Sequence, residues 1–301
     1  MTEALGQLLT EQIDERYAQV DSASVEQLAT LMNEADASVP AAVRAAFPQI
    51  LPAIEAVSKR LAGGGRLFYV GAGSAGRLCV LDAAEVPPTF NAPPDLVQAI
   101  MAGGVEAIAG SVEGAEDDFD AGFTAIAERG VTAGDAVMGV AASGRTPYVI
   151  GAMRAARLLD ALTVSLSCNQ NAPLSSEVEF PIEVTVGPEV LAGSTRLKAG
   201  TAQKLVLNML TTIVMVRQGK AYGNLMVDMR VTNVKLRDRA LRIIERVTSC
   251  SRTVAEAALD AADLEVKTAI VIIAGRATAE AARQRLAAAG GRLREALETP
   301  V

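Results

Sequence analysis

Two apolar segments of this chain each end in a Gly/Ser loop, and that pairing limits the folds open to it. Arg66-Leu-Phe-Tyr-Val70 runs into Gly71-Ala-Gly-Ser-Ala-Gly-Arg77, and Ala136-Val-Met-Gly-Val140 runs into Ala141-Ala-Ser-Gly-Arg-Thr-Pro147. Glycine lets the backbone turn tightly and approach a ligand, and the helix that follows points N–H groups at an anion. One such loop is a weak signal. Two in one domain, at the ends of apolar strands, predict a sugar phosphate or nucleotide held at the edge of a parallel sheet.

The surrounding pattern fits that expectation. Residues 8–62 read as helices, with apolar positions three and four apart in Val25–Met32 and Ala41–Leu61, and Pro40 sits where a first helical turn would begin. After Gly63-Gly-Gly65, strands at 66–70, 136–142, 162–167 and 180–186 alternate with helices from about Ala75, Pro147 and Thr201. Such alternation implies βαβ units, a parallel sheet and right-handed crossovers, an α/β fold. From about Asp238 the chain turns alanine-rich and charged, the mark of a separate small module. Within it, Val266–Ile273 is a β-branched run that suits either a strand or a buried helix. The expected organisation is N-terminal helices over 1–62, a ligand-binding domain over 63–237 and a small module over 238–301.

Composition removes several classes of function. The net charge of −7 argues against a nucleic-acid binder, which needs a basic face. The longest apolar run, Leu205–Val216, is broken by Asn208 and Thr211-Thr212 and reads as too short for a membrane span. The first nine residues have no basic region leading into an apolar stretch, so no leader peptide is expected. Cys79, Cys168 and Cys250 suit neither a zinc spacing nor a disulfide framework, which points to a reducing cytoplasm. The sharpest restriction is the absence of histidine. It rules out Ser-His nucleophile activation and imidazole acid–base work, leaving proton transfer to Glu, Asp, Lys, Tyr or Cys.

The candidate chemical groups follow. Glu85 precedes Pro87-Pro88, where proline is expected to stop the helix and hold the carboxylate in place. Glu113, Glu116, Asp117 and Asp118 form an acidic group whose members spacing alone does not separate. A third polar loop, Gly187 to Lys204, carries Ser194, Thr195, Arg196 and Lys198 into a long apolar helix. It reads as an anion loop or as an ordinary capped helix start. No metal-binding spacing is present.

Taken together and in order, several stretches resemble the N-acetylmuramic acid 6-phosphate etherases. They are Gly64–Gly73, Leu81–Phe90, Val112–Asp117, Ala141–Ile150, Gly187–Asn208 and Tyr222–Asp228, and the resemblance runs from about Leu31 to the C-terminus. It implies a sugar isomerase (SIS) domain, a doubly wound parallel-sheet α/β sandwich, and a C-terminal fold like the small ubiquitin-associated (UBA) helical module. That makes Val266–Ile273 helical. A homodimer with sites at the subunit boundary is implied, as is cleavage of the ether between sugar carbon 3 and a D-lactyl group, with no metal and no nucleotide cofactor. By motif match, Glu85 and Glu116 take the positions of the two catalytic glutamates; of the two, we assign Glu85 to assisting lactate departure and delivering water, and Glu116 to taking the carbon 2 proton.

The resemblance also implies a phosphate on the loops at Gly73, Ser74, Gly76, Ser143, Gly144 and Thr146, with Ser194 and Thr195 as further hydroxyl donors. Arg196 and Lys198 are candidates to balance the phosphate or the lactyl carboxylate. The chain departs from the family's usual Thr-Ser at Ser74-Ala75, which removes one expected hydroxyl, and Cys79 replaces the usual glycine. Two other functions are open on the same fold: a sugar-phosphate sensor without turnover, which the glucokinase regulatory proteins resemble, and a sugar-phosphate isomerase.

Overall fold

The computed structural model describes residues 6, 8–229 and 231–298. These divide into two compact units, one built from the described residues up to Ala84 with Asp95–Thr211, the other from Glu85–Pro94 with those from Thr212 on.

The first unit is a five-stranded sheet, β1 (Leu67–Gly71), β2 (Val97–Met101), β3 (Ala136–Val140), β4 (Leu162–Ser167) and β5 (Phe180–Glu183). All neighbours are parallel, in the order β2-β1-β3-β4-β5. β1, β3 and β4 are buried along their whole length, as strands covered on both faces must be. Phe68, Val70 and Val137 pack beneath α7 (Pro147–Leu158), on which α6 (Phe119–Glu128) lies in turn. On the other face the Tyr69 hydroxyl donates to Asp82 Oδ2 on α4 (Gly73–Phe90) at 3.0 Å. Asp82 Oδ1 accepts from Thr211 on α8 (Lys198–Arg217) at 3.2 Å. Helices thus cover both faces, the α/β architecture expected from the alternation.

Several local expectations need correction. Residues 8–24 are not helical beyond the short turn Glu15–Tyr17; regular helix begins with α1 (Val25–Ala37) behind a Ser24 capping box. The Ala41–Leu61 stretch is two helices, α2 (Val39–Ala45) and α3 (Phe47–Ala62), because Pro48 has no N–H to continue the ladder. Pro87 and Pro88 do not end α4, which runs on to Phe90. Proline removes only the N–H it lacks, and so near a helix end the loss is confined to the carbonyls of Ala83 and Ala84. α8 starts at Lys198 rather than Thr201 and so reaches 20 residues, long and apolar enough to cross a membrane by length and composition alone. However, 56% of its apolar window is buried inside the structure, as in a core helix. β2, the short α5 (Glu106–Ala109) and α6 lack the runs that would have announced them: β2 is an edge strand with Gln98 and Ala99 half-exposed.

Asp135 ties the amino ends of β1 and β3 together. Its carboxylate accepts from the Arg66 backbone N–H and guanidinium and from the Thr132 backbone N–H, each at 2.8 Å. Burial pushes this carboxyl up, but the bonds from Arg66 and Thr132 outweigh it and hold it down at about 2. A carboxyl lowered in the folded state stabilises above its unfolded value, and that contribution disappears as pH falls through the folded one. Melting temperature should therefore drop between about pH 4 and pH 2, and Asp135→Asn should flatten that drop in thermal melts.

The second unit is helical: α9 (Val234–Thr248), α10 (Arg252–Ala261), α11 (Val266–Gly275), α12 (Ala279–Ala288) and α13 (Leu293–Glu298). Its core joins Leu241, Ile244, Leu259, Ile270 and Val271. The ambiguous β-branched run is α11, a helix packed against α9, α10, α12 and α13.

Candidate active site

The two Gly/Ser loops emerge side by side. In register, Gly71 at the end of β1 pairs with Val140 at the end of β3. In this strand order the chain moves from β1 outward to β2 on one side and from β3 outward to β4 on the other. Such a switch point opens a crevice at the carboxyl ends of the strands. The crevice here is a cavity of about 620 Å³, of a size that takes a small ligand.

The first loop is shaped by close backbone contact. A Cβ on Gly71 would lie 2.8 Å from the Gly76 backbone, and one on Gly76 would lie 2.9 Å from Gly71. Gly76 is buried by this contact and does not line the cavity; its glycine serves the turn between strand and helix. Gly73 has φ +52°, open space where a side chain would be, and begins α4. Ala72, Gly73, Ser74 and Ala75 line the cavity with the first turn of that helix. Gly76 N–H is the first to bond back, to Ala72, so the N–H groups before it are the orphan donors of a helix start.

The second loop turns at Ala141–Gly144, with Gly144 N–H bonded to Ala141 O at 3.0 Å and Gly144 at φ +66°. Gly144 packs on Ala172 and Ser167 rather than on the cavity, while Ser143, Arg145 and Thr146 line it. Ser143 Oγ accepts the Arg145 backbone N–H at 3.2 Å. Buried Asn169 holds the loop from behind, its amide donating to Ala142 O at 3.1 Å and to Thr10 Oγ1 at 3.0 Å. This bond clips the N-terminal turn to the loop and brings Glu11 to the cavity wall.

Folding sorts the acidic group. Asp118 caps α6, accepting Ala121 N–H at 2.8 Å, and Glu113 accepts the Ser111 hydroxyl at 3.1 Å. Glu116 and Asp117 line the cavity. Glu116 is placed by its own backbone, because its carbonyl accepts Tyr148 N–H from the first turn of α7 at 3.0 Å. That contact needs α6 and α7 pressed together, and the glycines at the crossing permit it: a Cβ on Gly122 would come within 1.9 Å of Tyr148 O.

The third loop carries its own anion. Glu189, 1% exposed, accepts Lys198 N–H and Ala199 N–H, each at 2.9 Å, and so caps the start of α8. Lys198 Nζ donates to Val186 O at 2.8 Å, and burial pulls its ammonium down. Lys198 faces a separate cavity shared with Arg16 and Tyr17. Arg196 borders a shallow groove with Leu78 and Leu81, and Ser194 lines neither space. Thr195 and, further along α8, Gln203 do line the main cavity. In the second unit a cavity of about 500 Å³ has its cations already matched: Lys267 with Asp228 at 2.7 Å and Arg283 with Asp263 at 2.6 Å.

Several known proteins are similar to this chain over nearly its whole length. The family model for the glucokinase regulatory protein N-terminal SIS domain matches residues 49–157, and that for the C-terminal lid domain of the same protein matches 223–263. A protein of Streptomyces avermitilis named N-acetylmuramic acid 6-phosphate etherase is 53% identical over 290 residues, 96% of this chain and 93% of its own length. One of the same name from Rubrobacter xylanophilus is 54% identical over 297 residues, 99% and 98% of the two chains. A third, from Erwinia tasmaniensis, is 50% identical over 294 residues, 98% and 96%. This chain belongs to the N-acetylmuramic acid 6-phosphate etherase family.

In this etherase-family chain the cavity joins seven of the sequence-derived candidates: Gly73, Ser74, Glu116, Asp117, Ser143, Thr146 and Thr195. Gly76, Gly144, Ser194, Arg196, Lys198 and Glu85 are not among its lining residues. Glu85 is exposed on α4. Sequence reasoning missed Glu11, Arg145 and Gln203. Arg145 was in plain view within the second loop. Gln203 interrupts the apolar stripe Ala199, Ala202, Val206 and Leu210 of α8, which was a usable signal. Glu11 had none, since it reaches the cavity through a bond to a residue distant in sequence. Cys79 is fully buried and burial pushes its thiol up, so it packs as a core residue.

Proposed function

We propose that this chain splits the D-lactyl ether of N-acetylmuramic acid 6-phosphate in the cavity between its two Gly/Ser loops. The products are N-acetylglucosamine 6-phosphate and D-lactate, a step in recycling cell-wall sugar. The observation that carries this reading is the presence of Glu116 in one cavity with the first turn of α4 and the Ser143–Thr146 loop. A base and an anion-binding helix start thus share one space.

In this reading the phosphate lies against the α4 start, near Ser74, Ser143 and Thr146, with Arg145 as the nearby cation. Opening the sugar ring exposes an aldehyde at carbon 1, which acidifies the proton on carbon 2. Glu116 removes that proton. Lactate leaves from carbon 3 with proton assistance, and water adds across the double bond that forms. Glu85 carries the second proton-transfer role by its motif. Because Glu85 is exposed on α4, we assign its action to a homodimer in which sites form at the subunit boundary. The exposed Leu81, at 52%, and the groove it shares with Leu78, Gly200 and Thr201 support a self-association face. Three unpaired cysteines fit a reducing cytoplasm.

Ala75 lines the phosphate end of the cavity where the family usually has serine. Ala75→Ser should add one hydroxyl donor to a charged acceptor, worth about 1.5–3 kcal/mol, and lower KM by roughly 10- to 100-fold. Steady-state kinetics on the two proteins would check this, and an unchanged KM would move the phosphate elsewhere.

The deciding experiment is D-lactate release from N-acetylmuramic acid 6-phosphate by the unmodified protein. Stoichiometric lactate and N-acetylglucosamine 6-phosphate support the reading. Tight binding of the sugar phosphate with no lactate would favour the sensor instead, a reading encouraged by the two glucokinase-regulatory-protein models that match the chain.

A further inference from the structure

We infer that Gln203 is a substrate-binding residue of this cavity, its side-chain amide donating a hydrogen bond to an oxygen of the bound amino-sugar phosphate. The inference rests on the reading of the cavity as the etherase site and adds a contact to it.

Gln203 lies in the second turn of α8, is 1% exposed and still lines the cavity. Its Nε2 has no hydrogen-bond partner among the described residues. A buried amide donor left without a partner is costly, and native proteins rarely keep one unless something outside the fold completes it. Its own helix offers nothing, for its buried neighbours Ala199, Ala202, Val206 and Leu207 are apolar. Glu189, the buried carboxylate at the start of α8, is engaged by the Lys198 and Ala199 N–H groups. Ser58 and Ser165 also have buried hydroxyls without partners, but neither lines this cavity. Gln203 combines an unsatisfied donor with access to the ligand space.

The ligand supplies what the donor lacks. A sugar phosphate with an acetamido group and a lactyl carboxylate is rich in acceptor oxygens and poor in donors. A neutral amide meets such an oxygen without placing another charge in a cavity that already holds Glu11, Glu116, Asp117 and Arg145. Thr195, on the loop that leads into α8, lines the same cavity and provides a hydroxyl from this segment of the chain.

The test compares the unmodified protein with Gln203→Met, which keeps the length and removes the donor. The expected result is a KM for N-acetylmuramic acid 6-phosphate raised about 10-fold or more, the effect of one lost hydrogen bond to a strongly polar acceptor. The melting temperature of the substrate-free variant should be equal or higher, because an unsatisfied buried group has been removed. An unchanged KM overturns the inference, and so does a lower melting temperature with KM unaltered, which would mean a purely structural amide. As a second measurement, the Gln203 side-chain amide of the unmodified protein is followed by 15N–1H NMR on adding N-acetylglucosamine 6-phosphate. A downfield shift supports the contact, and no shift at saturation overturns it. Absence of lactate from the unmodified protein would instead count against the etherase reading, and the NMR titration would then still decide the role of Gln203.

Discussion

Replacing Glu116 by glutamine should lower D-lactate release by roughly 10²- to 10⁴-fold, the usual worth of the positioned general base we propose it to be. The fold should be unaffected, because the contact that places this residue is made by its backbone carbonyl to Tyr148 N–H, and the substitution leaves it in place. Melting temperature should therefore stay within a degree or so, and binding of the sugar phosphate should persist. Isotope exchange at carbon 2 gives the sharper readout: the variant should lose solvent exchange of that proton, and retained exchange would remove Glu116 from the role of base. Asp117, beside it on the same cavity wall, is the natural control. If Asp117→Asn abolishes turnover and Glu116→Gln does not, the base has been assigned one residue too early.

Gly122→Ala is expected to damage both stability and rate, although it adds only a methyl group. The new Cβ would lie 1.9 Å from Tyr148 O and 2.7 Å from its carbonyl carbon, atoms of a helix backbone that cannot swing aside. α6 must withdraw from α7, at a cost of about 3 kcal/mol or more, as in strongly overpacked cores. For a domain of this size that is roughly 5–10 °C in melting temperature. The same displacement strains the bond between Tyr148 N–H and Glu116 O, so kcat should fall as well. Gly134→Ala is the matching control, because its nearest non-neighbouring atom is 3.6 Å away and its φ is ordinary. Equal melting temperatures for the two variants would show that the helix crossing is softer than its geometry implies.

The site was legible in the sequence to the extent that it is built from local structure. A strand, a glycine turn and a helix start are consecutive in the chain, so Gly73, Ser74, Ser143 and Thr146 could be named without knowing where the rest of the molecule lay. The same holds for the alternation that predicts a parallel sheet, since burial on both faces writes itself into β1 and β3 as unbroken apolar runs. The lack of histidine is likewise a property of composition alone, and it leaves proton transfer to Glu, Asp, Lys, Tyr or Cys.

Tertiary structure decided which members of each local group do what. Four acidic residues within 113–118 look interchangeable as a string, yet one caps a helix, one accepts a serine hydroxyl and two face the cavity. The loop at 187–204 has the composition of an anion site, but Glu189 folds back onto the α8 start and occupies it. Glu11 joins the cavity through the Thr10–Asn169 bond, which spans 159 residues. Sequence by itself determined the elements, their order and the two loops, because these depend on neighbours in the chain. Which carboxylates and amides share one space depends on hydrogen bonds between segments far apart, and only the folded chain sets those.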